Sequence, residues 1–452
     1  MWFQQFRDAA SAAAATMAAM ILCLALDPAQ LAPTGFGPDG EKYLQMARYL
    51  LAHGALYGEP HSMFQLVQAD AWVPNTVSPP VYFPFLALAL SIWNSWRTAL
   101  ALNAVIFGLT CWIGLKLLNR LKLGTPRNRF LFLLLMVLDP AYLIYNGGVQ
   151  MDTLAGLACC AFVLAWYWAS QSFRPDIAPS TWRFVAVGII AGLAVLTRGN
   201  LVVPLAVFAL ITLARDIQRL NWKKLTAIAL AAIIALTIIG GWTWRNYQLT
   251  GIVYPTGAGG VLGYALADNY SLGGSKFAPQ LVWSNADRTR YARELVNNGT
   301  PPLKADAITD KELQRRVVKY VADNPGVLAK MFSRNMARTF LASMYDEPDL
   351  IAKAIERNGI NFGVRPAAAL LTFGARGLIL FSFMLFPLLA WYRRDFRTLL
   401  PIWGGSLSFV ILNALLIRGG DRFRVPIEPF CVMFLMAGVV FLYDRVRRQA
   451  HE

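Results

Sequence analysis

The feature that most constrains this chain is the recurrence of apolar runs about as long as a bilayer is thick. "LTAIALAAIIALTIIGGW", Leu225–Trp242, carries no charge from end to end. A helix needs about 20 such residues to cross the hydrocarbon core, somewhat fewer in a packed bundle. Backbone polar groups in lipid have no water to bond, so a run of this kind crosses as a helix. Comparable runs lie near 10–28, 97–117, 129–146, 152–171, 184–198, 200–214, 366–392, 398–416 and 425–443. With the run at 225–243, they predict an all-α polytopic membrane protein, a bundle of about 10 transmembrane helices. "MILCLALDPAQ" offers no small-x-small cleavage site, so the first run is expected to stay as an anchor.

Charge placement gives the orientation. Apolar residues make up 56% of the chain and charged ones 15%, which excludes an ordinary soluble domain. With the N-terminus inside, "KLLNRLKLGTPRNR", "SFRPDIAPSTWR", "ARDIQRLNWKK", "YRRDFR" and "DRVRRQAHE" all face the cytoplasm. Most of the net charge of +16 then sits on that side, as the positive-inside rule expects. The basic balance is topological and gives no reason to invoke nucleic acid. "PPVYFPFLALALSIW", Pro79–Trp93, is apolar but short; if it crossed, every later basic loop would face outward, so it is expected to lie at the outer interface. Three regions follow: a transmembrane core over 1–245 with a first external loop at 29–96, an external helical segment over 246–365, and C-terminal transmembrane helices with a cytoplasmic tail over 366–452. The five cysteines, Cys23, Cys111, Cys159, Cys160 and Cys431, all fall in apolar runs and none has metal or redox spacing.

Charges on the outer side ask for an explanation. "GPDGEKYLQMARYLL" follows the first span directly and sets Asp39, Glu41 and Lys42 within four residues. From Glu41 onward it is helical in pattern, with Tyr43, Met46, Ala47, Leu50 and Leu51 on one face and a stop at His53–Gly54. Asp39 suits an N-cap, with Glu41 favourable at the helix N-terminus. The N-cap is the commoner role for such a residue; a general base is the other reading, because a partly desolvated carboxylate gains basicity useful for deprotonating a hydroxyl. Lys42, one turn on, suits an anionic leaving group such as a phosphate.

Further along, Asp152 opens the fourth span, as a helix cap or a functional acid at a span edge. Arg198 lies at a tight turn between two short spans, where snorkelling to headgroups competes with a ligand role. "WTWRN" ends the seventh span with aromatic anchors and sets Arg245 and Asn246 at its exit. Arg418, Asp421, Arg422 and Arg424 crowd the last outer turn against the positive-inside rule. That breach asks for an anionic partner, and forked guanidinium groups suit phosphate. The chain has no P-loop, no GxGxxG after a strand, no HExxH and no GxSxG with a partner histidine. Asp39 and Glu41 are the only clustered acids of the first loop, so no metal cofactor is expected, although a divalent ion would find two carboxylates there.

The ordered set "PDGEKYLQMARYLLAHGALY", "SPPVYFPFLALAL", "DPAYLIYNGGVQMDTLAGL", "GLAVLTRGNLVVPLAVF", "GWTWRNYQLTGIVYPTGAGG" and "DRFRVPIEPFCVMFLMAGVVFLYDR" resembles the membrane glycosyltransferases of the GT-C class. It is most similar to the bacterial branch related to protein O-mannosyltransferases and the lipid A aminoarabinose transferase. The resemblance runs from about residue 10 to 448 and is weakest over 270–360. It implies a GT-C-like bundle in the cytoplasmic (inner) membrane whose site faces the exterior. It also implies transfer of a sugar from a polyprenyl-phosphate carrier to a hydroxyl-bearing lipid, glycan or protein acceptor, usually with inversion. Asp39 stands at the position of the family's base. Lys42, Arg422 and Arg424 stand at positions associated with the carrier phosphate, and Asp152 at an acidic position opening the fourth span. Many relatives carry a basic residue where this chain has Ser78, which shifts the phosphate to other cations. Two other functions fit charges at membrane depth, a transporter or flippase of a lipid-linked sugar and an O-antigen ligase or polymerase. The first lacks a visible inverted repeat here, and the scarcity of histidine, three in all, counts against the second.

Overall fold

A computed structural model describes residues 2–26, 40–58, 73–76, 78–139, 141, 142, 145, 148–170, 181–215, 217, 222–253, 285–341, 364–416 and 424–449. The helices are α1 (Trp2–Leu26), α2 (Gly40–His53), α3 (Tyr82–Ile92), α4 (Trp96–Arg120), α5 (Pro126–Leu138), α6 (Asp152–Ser170), α7 (Thr181–Thr197) and α8 (Val202–Arg215). They continue as α9 (Trp222–Thr250), α10 (Asn285–Asn297), α11 (Pro302–Asp323), α12 (Pro325–Leu341), α13 (Val364–Tyr392), α14 (Leu400–Leu416) and α15 (Glu428–Gln449). Short 3-10 turns at Gly199–Leu201, Arg394–Leu399 and Val425–Ile427 lead into α8, α14 and α15. The only described strands are β1 (Tyr57–Gly58) and β2 (Val73–Pro74), an antiparallel pair with Tyr57 opposite Pro74.

The protein is an all-α, multi-pass membrane protein. Among the described residues six helical stretches are long and apolar enough to span: α4, α6, α9, Thr372–Tyr392 of α13, and α14 and α15 with the turns before them. The helices α3 and α7, and α8 with its leading turn, are apolar but shorter. At 1.5 Å per residue the 11 residues of α3 reach about 16 Å, half the depth of the hydrocarbon core. The expected run 129–146 does not form one helix. α5 stops at Leu138, and Asp139 is extended at φ −67° and ψ 115°. Pro140 follows, and the proline ring disfavours helical geometry in the residue before it.

Packing is built on close approaches at small residues. α1 lies along α4, and a Cβ on Gly108 would overlap Thr16 Oγ1. The helices α4, α6, α7 and α9 follow one another in contact, while α8 packs on α14 and α13 on α15. The main core includes Phe107, Phe132, Tyr142, Phe162, Phe208, Phe383 and Phe434. A second cluster joins Tyr43, Leu44, Met46 and Ala47 of α2 to Tyr82, Phe83, Leu86 and Leu90 of α3, and to Val149, Met151 and Leu154 before and within α6. In this cluster the amphipathic face of α2 is spent on protein. Of the expected external segment, α10, α11 and α12 pack in sequence, with α11 against α9 and α12 against α13 and α14.

Candidate functional site

Ion pairs define two ends of the bundle. At one, Asp8 of α1 is fully buried between Arg129 of α5 and Lys116 of α4, and Asn119 donates to it at 3.3 Å. Asp444 of α15 meets Arg127 at 3.0 Å and Arg393 at 3.1 Å at this same end. The opposite end gathers the start of α6 and the ends of α7 and α9.

There Asp152 is the first residue of α6 and is 1% exposed. Its carboxylate pairs with Arg198, which leaves α7 in extended geometry before the Gly199–Leu201 turn. The backbone reason is local: Arg198 N–H still donates to Ala194 at 3.0 Å while its own carbonyl caps the following turn. The adjoining Asn200 donates to Asn413 of α14 at 2.8 Å, which ties that turn to the bundle.

The turn before Asp152 is latched by Asn103 of α4. Asn103 Nδ2 donates to the Gly148 carbonyl at 2.6 Å. Its Oδ1 accepts from Tyr82 at 3.3 Å and Thr153 at 3.4 Å. One buried amide therefore joins α3, α4 and the start of α6. Between Val149 and Met151, which both pack in the α2–α3 cluster, Gln150 is 1% exposed. Neither amide atom of Gln150 has a hydrogen-bond partner.

Arg245 in the last turns of α9 lies over the Trp242 ring at 4.4 Å. It donates to the Asn75 carbonyl at 2.7 Å and to Asn246 Oδ1 at 3.1 Å. Asn246 is fully buried. Because Asn75 N–H donates to Leu56 at 3.0 Å, Arg245 is bound to the segment that follows α2. Glu41 is exposed and accepts from Gln45 at 3.3 Å, and Lys42 is half-buried in the same first turn of α2. Asp39 and Arg422, together with Arg418 and Asp421, lie outside the described residues. Arg424 is 1% exposed; its Nε meets Glu428 at 2.5 Å and its Nη1 donates to the Phe340 carbonyl at 3.3 Å. Ser78 is buried and bonded to Asn75 through its backbone.

The structure thus brings Asp152 and Arg198 into contact and fixes Arg245 beside Asn246. Other polar groups at this end went unmarked in the sequence. Asp139 faces the Arg424–Glu428 pair and accepts from the Tyr142 N–H at 3.0 Å, and Arg376 is 1% exposed inside α13. Each is an ionisable residue within an apolar run, "MVLDPAYL", "PIEPFCVM" and "TFGARGLIL", which is the signal that would have found it. Among the described residues no three His, Cys, Asp or Glu side chains gather as a metal site would require.

The structure is similar to that of an Archaeoglobus fulgidus oligosaccharyltransferase tethered with an acceptor peptide containing the NVT sequon, with a TM-score of 0.55 and 12% identity. That match covers 99% of this chain and 51% of the other, so the chain spans about half the length of that protein. ArnT from Cupriavidus metallidurans bound to undecaprenyl phosphate also matches, at a TM-score of 0.40 and 15% identity over 94% of this chain and 76% of that one. No protein-family model matches the chain, and no curated protein matches it in sequence. The fold is that of the GT-C membrane glycosyltransferases.

Proposed function

We propose that this protein is an inverting glycosyltransferase that moves a sugar from a polyprenyl-phosphate carrier to a hydroxyl acceptor at the outer face of the cytoplasmic membrane. The observation that supports it most is the buried Asp152–Arg198 pair, a charge pair set at the end of a bundle with the GT-C fold. What sets it apart from the buried Asp8 cluster is its place, at the bundle end that also carries Arg245 and Asn246.

In the reaction Asp39 accepts the proton of the acceptor hydroxyl as that oxygen attacks the anomeric carbon. The bond from that carbon to the phosphate oxygen breaks from the opposite face, and its electron pair leaves with the polyprenyl phosphate. Lys42, Arg198, Arg245 and Arg422 stabilise the charge growing on the departing phosphate, the role in which fixed cations are most effective. Arg424, engaged by Glu428 and Phe340, acts by anchoring its turn. Glu41, Asp152 and Asn246 orient the sugar or the acceptor. The isoprenoid tail stays in lipid while only the head enters the site, and no metal is required.

The test is glycosyl transfer by purified wild type and Asp39→Asn in detergent, with a panel of polyprenyl-phosphate sugars and water as the fallback acceptor. Release of polyprenyl phosphate by wild type, reduced about a hundredfold or more in folded Asp39→Asn, is the expected result. If both proteins leave every donor intact and carry one across liposomes equally well, a lipid-linked sugar transporter replaces this reading.

A further inference from the structure

Among the buried polar residues that the mechanism leaves without a task is Gln150, whose amide nitrogen and oxygen are both unpaired. A buried amide with neither its N–H groups nor its oxygen bonded is unfavourable, because folding has removed its water and supplied nothing in return. Buried polar groups in folded proteins are overwhelmingly paired. Its neighbours show how the same turn treats its other polar groups: Asn103 satisfies the Gly148 carbonyl, and Thr153 is within reach of both Asn103 and the Gln150 carbonyl. The backbone of the turn is thus fixed, and the glutamine side chain is the exception.

Its position is informative. Val149 and Met151 on either side pack against α2 and α3, and two residues on stands Asp152 with its Arg198 partner. Along the chain Gln150 therefore joins the segment packed on α2 and α3 to the buried charge pair. Glutamine offers two N–H donors and a carbonyl acceptor, a set that matches a sugar hydroxyl, which both donates and accepts. No existing hydrogen bond opposes rotation of its side chain toward a ligand.

We infer that Gln150 is a specificity-determining residue of the donor site, its amide reading one hydroxyl of the carrier-linked sugar. This rests on the glycosyltransferase reading above. A site built to bond a hydroxyl rejects an analogue lacking it far more strongly than an apolar site does, because the protein group is then left unpaired.

The experiment compares wild type, Gln150→Met and Gln150→Asn, with water as the only acceptor so that the hydroxyl read belongs to the donor. Each is given the donor that wild type turns over and the set of its monodeoxy analogues. Wild type should discriminate against one deoxy position by about a hundredfold or more in kcat/KM. Gln150→Met should lose that discrimination for that position alone, keeping its penalties at the others. Thermal unfolding without donor supplies the second readout. Replacing an unpaired amide by an apolar chain of similar shape should raise the midpoint by about 1–3 °C, whereas a structural glutamine, or one satisfied by buried water, would give a fall. Discrimination unchanged in both variants, or a lowered midpoint in Gln150→Met, overturns the assignment of Gln150 while leaving the transferase reading intact. A wild type that turns over no donor removes both.

Discussion

The two ends of the bundle solve the problem of buried charge differently. At the Asp8 end the acid is surrounded: Arg129, Lys116 and Asn119 all meet one carboxylate, and the cluster ties α1, α4 and α5 together. At the Asp152 end the acid has Arg198, while Gln150 two residues earlier has nothing. At the first end the carboxylate itself is met by three neighbouring side chains, although Arg129 Nη1 and Asn128 Oδ1 beside it have no hydrogen-bond partner. The second end keeps hydrogen-bonding capacity that the fold itself does not use, which is what a binding site requires.

The comparison breaks most readily at Asp152. Asp152→Asn leaves Arg198 without its carboxylate and should lower stability by about 3–5 kcal/mol and transfer by a hundredfold or more. The double variant Asp152→Asn with Arg198→Met should recover most of the thermal midpoint and none of the activity. Recovery of both would make this pair as structural as the other. Asp8→Asn is the matched control. It strands Arg129 in the same way, so a stability loss of about 3–5 kcal/mol is expected in denaturant titration, with transfer per folded molecule unchanged.

The Asp152 side of this contrast was legible in the residues and the Asp8 side was not, and both outcomes have physical causes. The runs at 152–171, 184–198 and 366–392 become α6, α7 and α13 almost to the residue, because apolar length is a local property. The run at 129–146 failed at Asp139–Pro140, where a local rule about the residue before proline outweighs hydropathy. Asp152 and Arg198 stood out as charges at span edges, but their contact depends on how α6 packs against α7, which no spacing reveals. Gln150 gave no signal at all. An uncharged amide in a turn is ordinary in sequence, and only the disposition of Asn103 and its partners shows that its hydrogen bonds are missing. Asp39 and Arg422 remain residues of the sequence reading, since they lie outside the described positions.

The helices α10 and α11, which are not among the apolar spans, extend the comparison to acids elsewhere in the chain. Asp310 of α11 meets Arg288 of α10 at 3.0 Å with both side chains largely buried. Burial pushes its carboxyl up to about 6 even though the guanidinium draws it down. A folded value above the ordinary one means that the protonated acid is the better fit. Its contribution is then full below about pH 4 and lost as pH rises through about 6. Unfolding of the α10–α11 pair, followed by hydrogen exchange, should become easier by about 2–3 kcal/mol between pH 4 and pH 8. Asp310→Asn should flatten that slope. A slope that persists in the variant would move its origin to another acid.

Two residues further along α11, Glu312 gives the opposite sign and the smallest effect. Hydrogen bonds from Arg315 at 2.8 Å, with Arg316 at 2.9 Å, hold its carboxyl down to about 2. A depressed acid contributes above its ordinary range, and that contribution is lost only as pH falls toward 2. Between pH 5 and 8 Glu312 is therefore silent, and the slope there belongs to Asp310. Exposed ion pairs are screened by water and salt, so Glu312→Gln should shift the thermal midpoint by less than about 2 °C at low salt and by nothing measurable at high salt. A larger, salt-independent loss would mean that this surface is covered in the working protein, since only desolvation gives such a pair a strength that salt does not reduce.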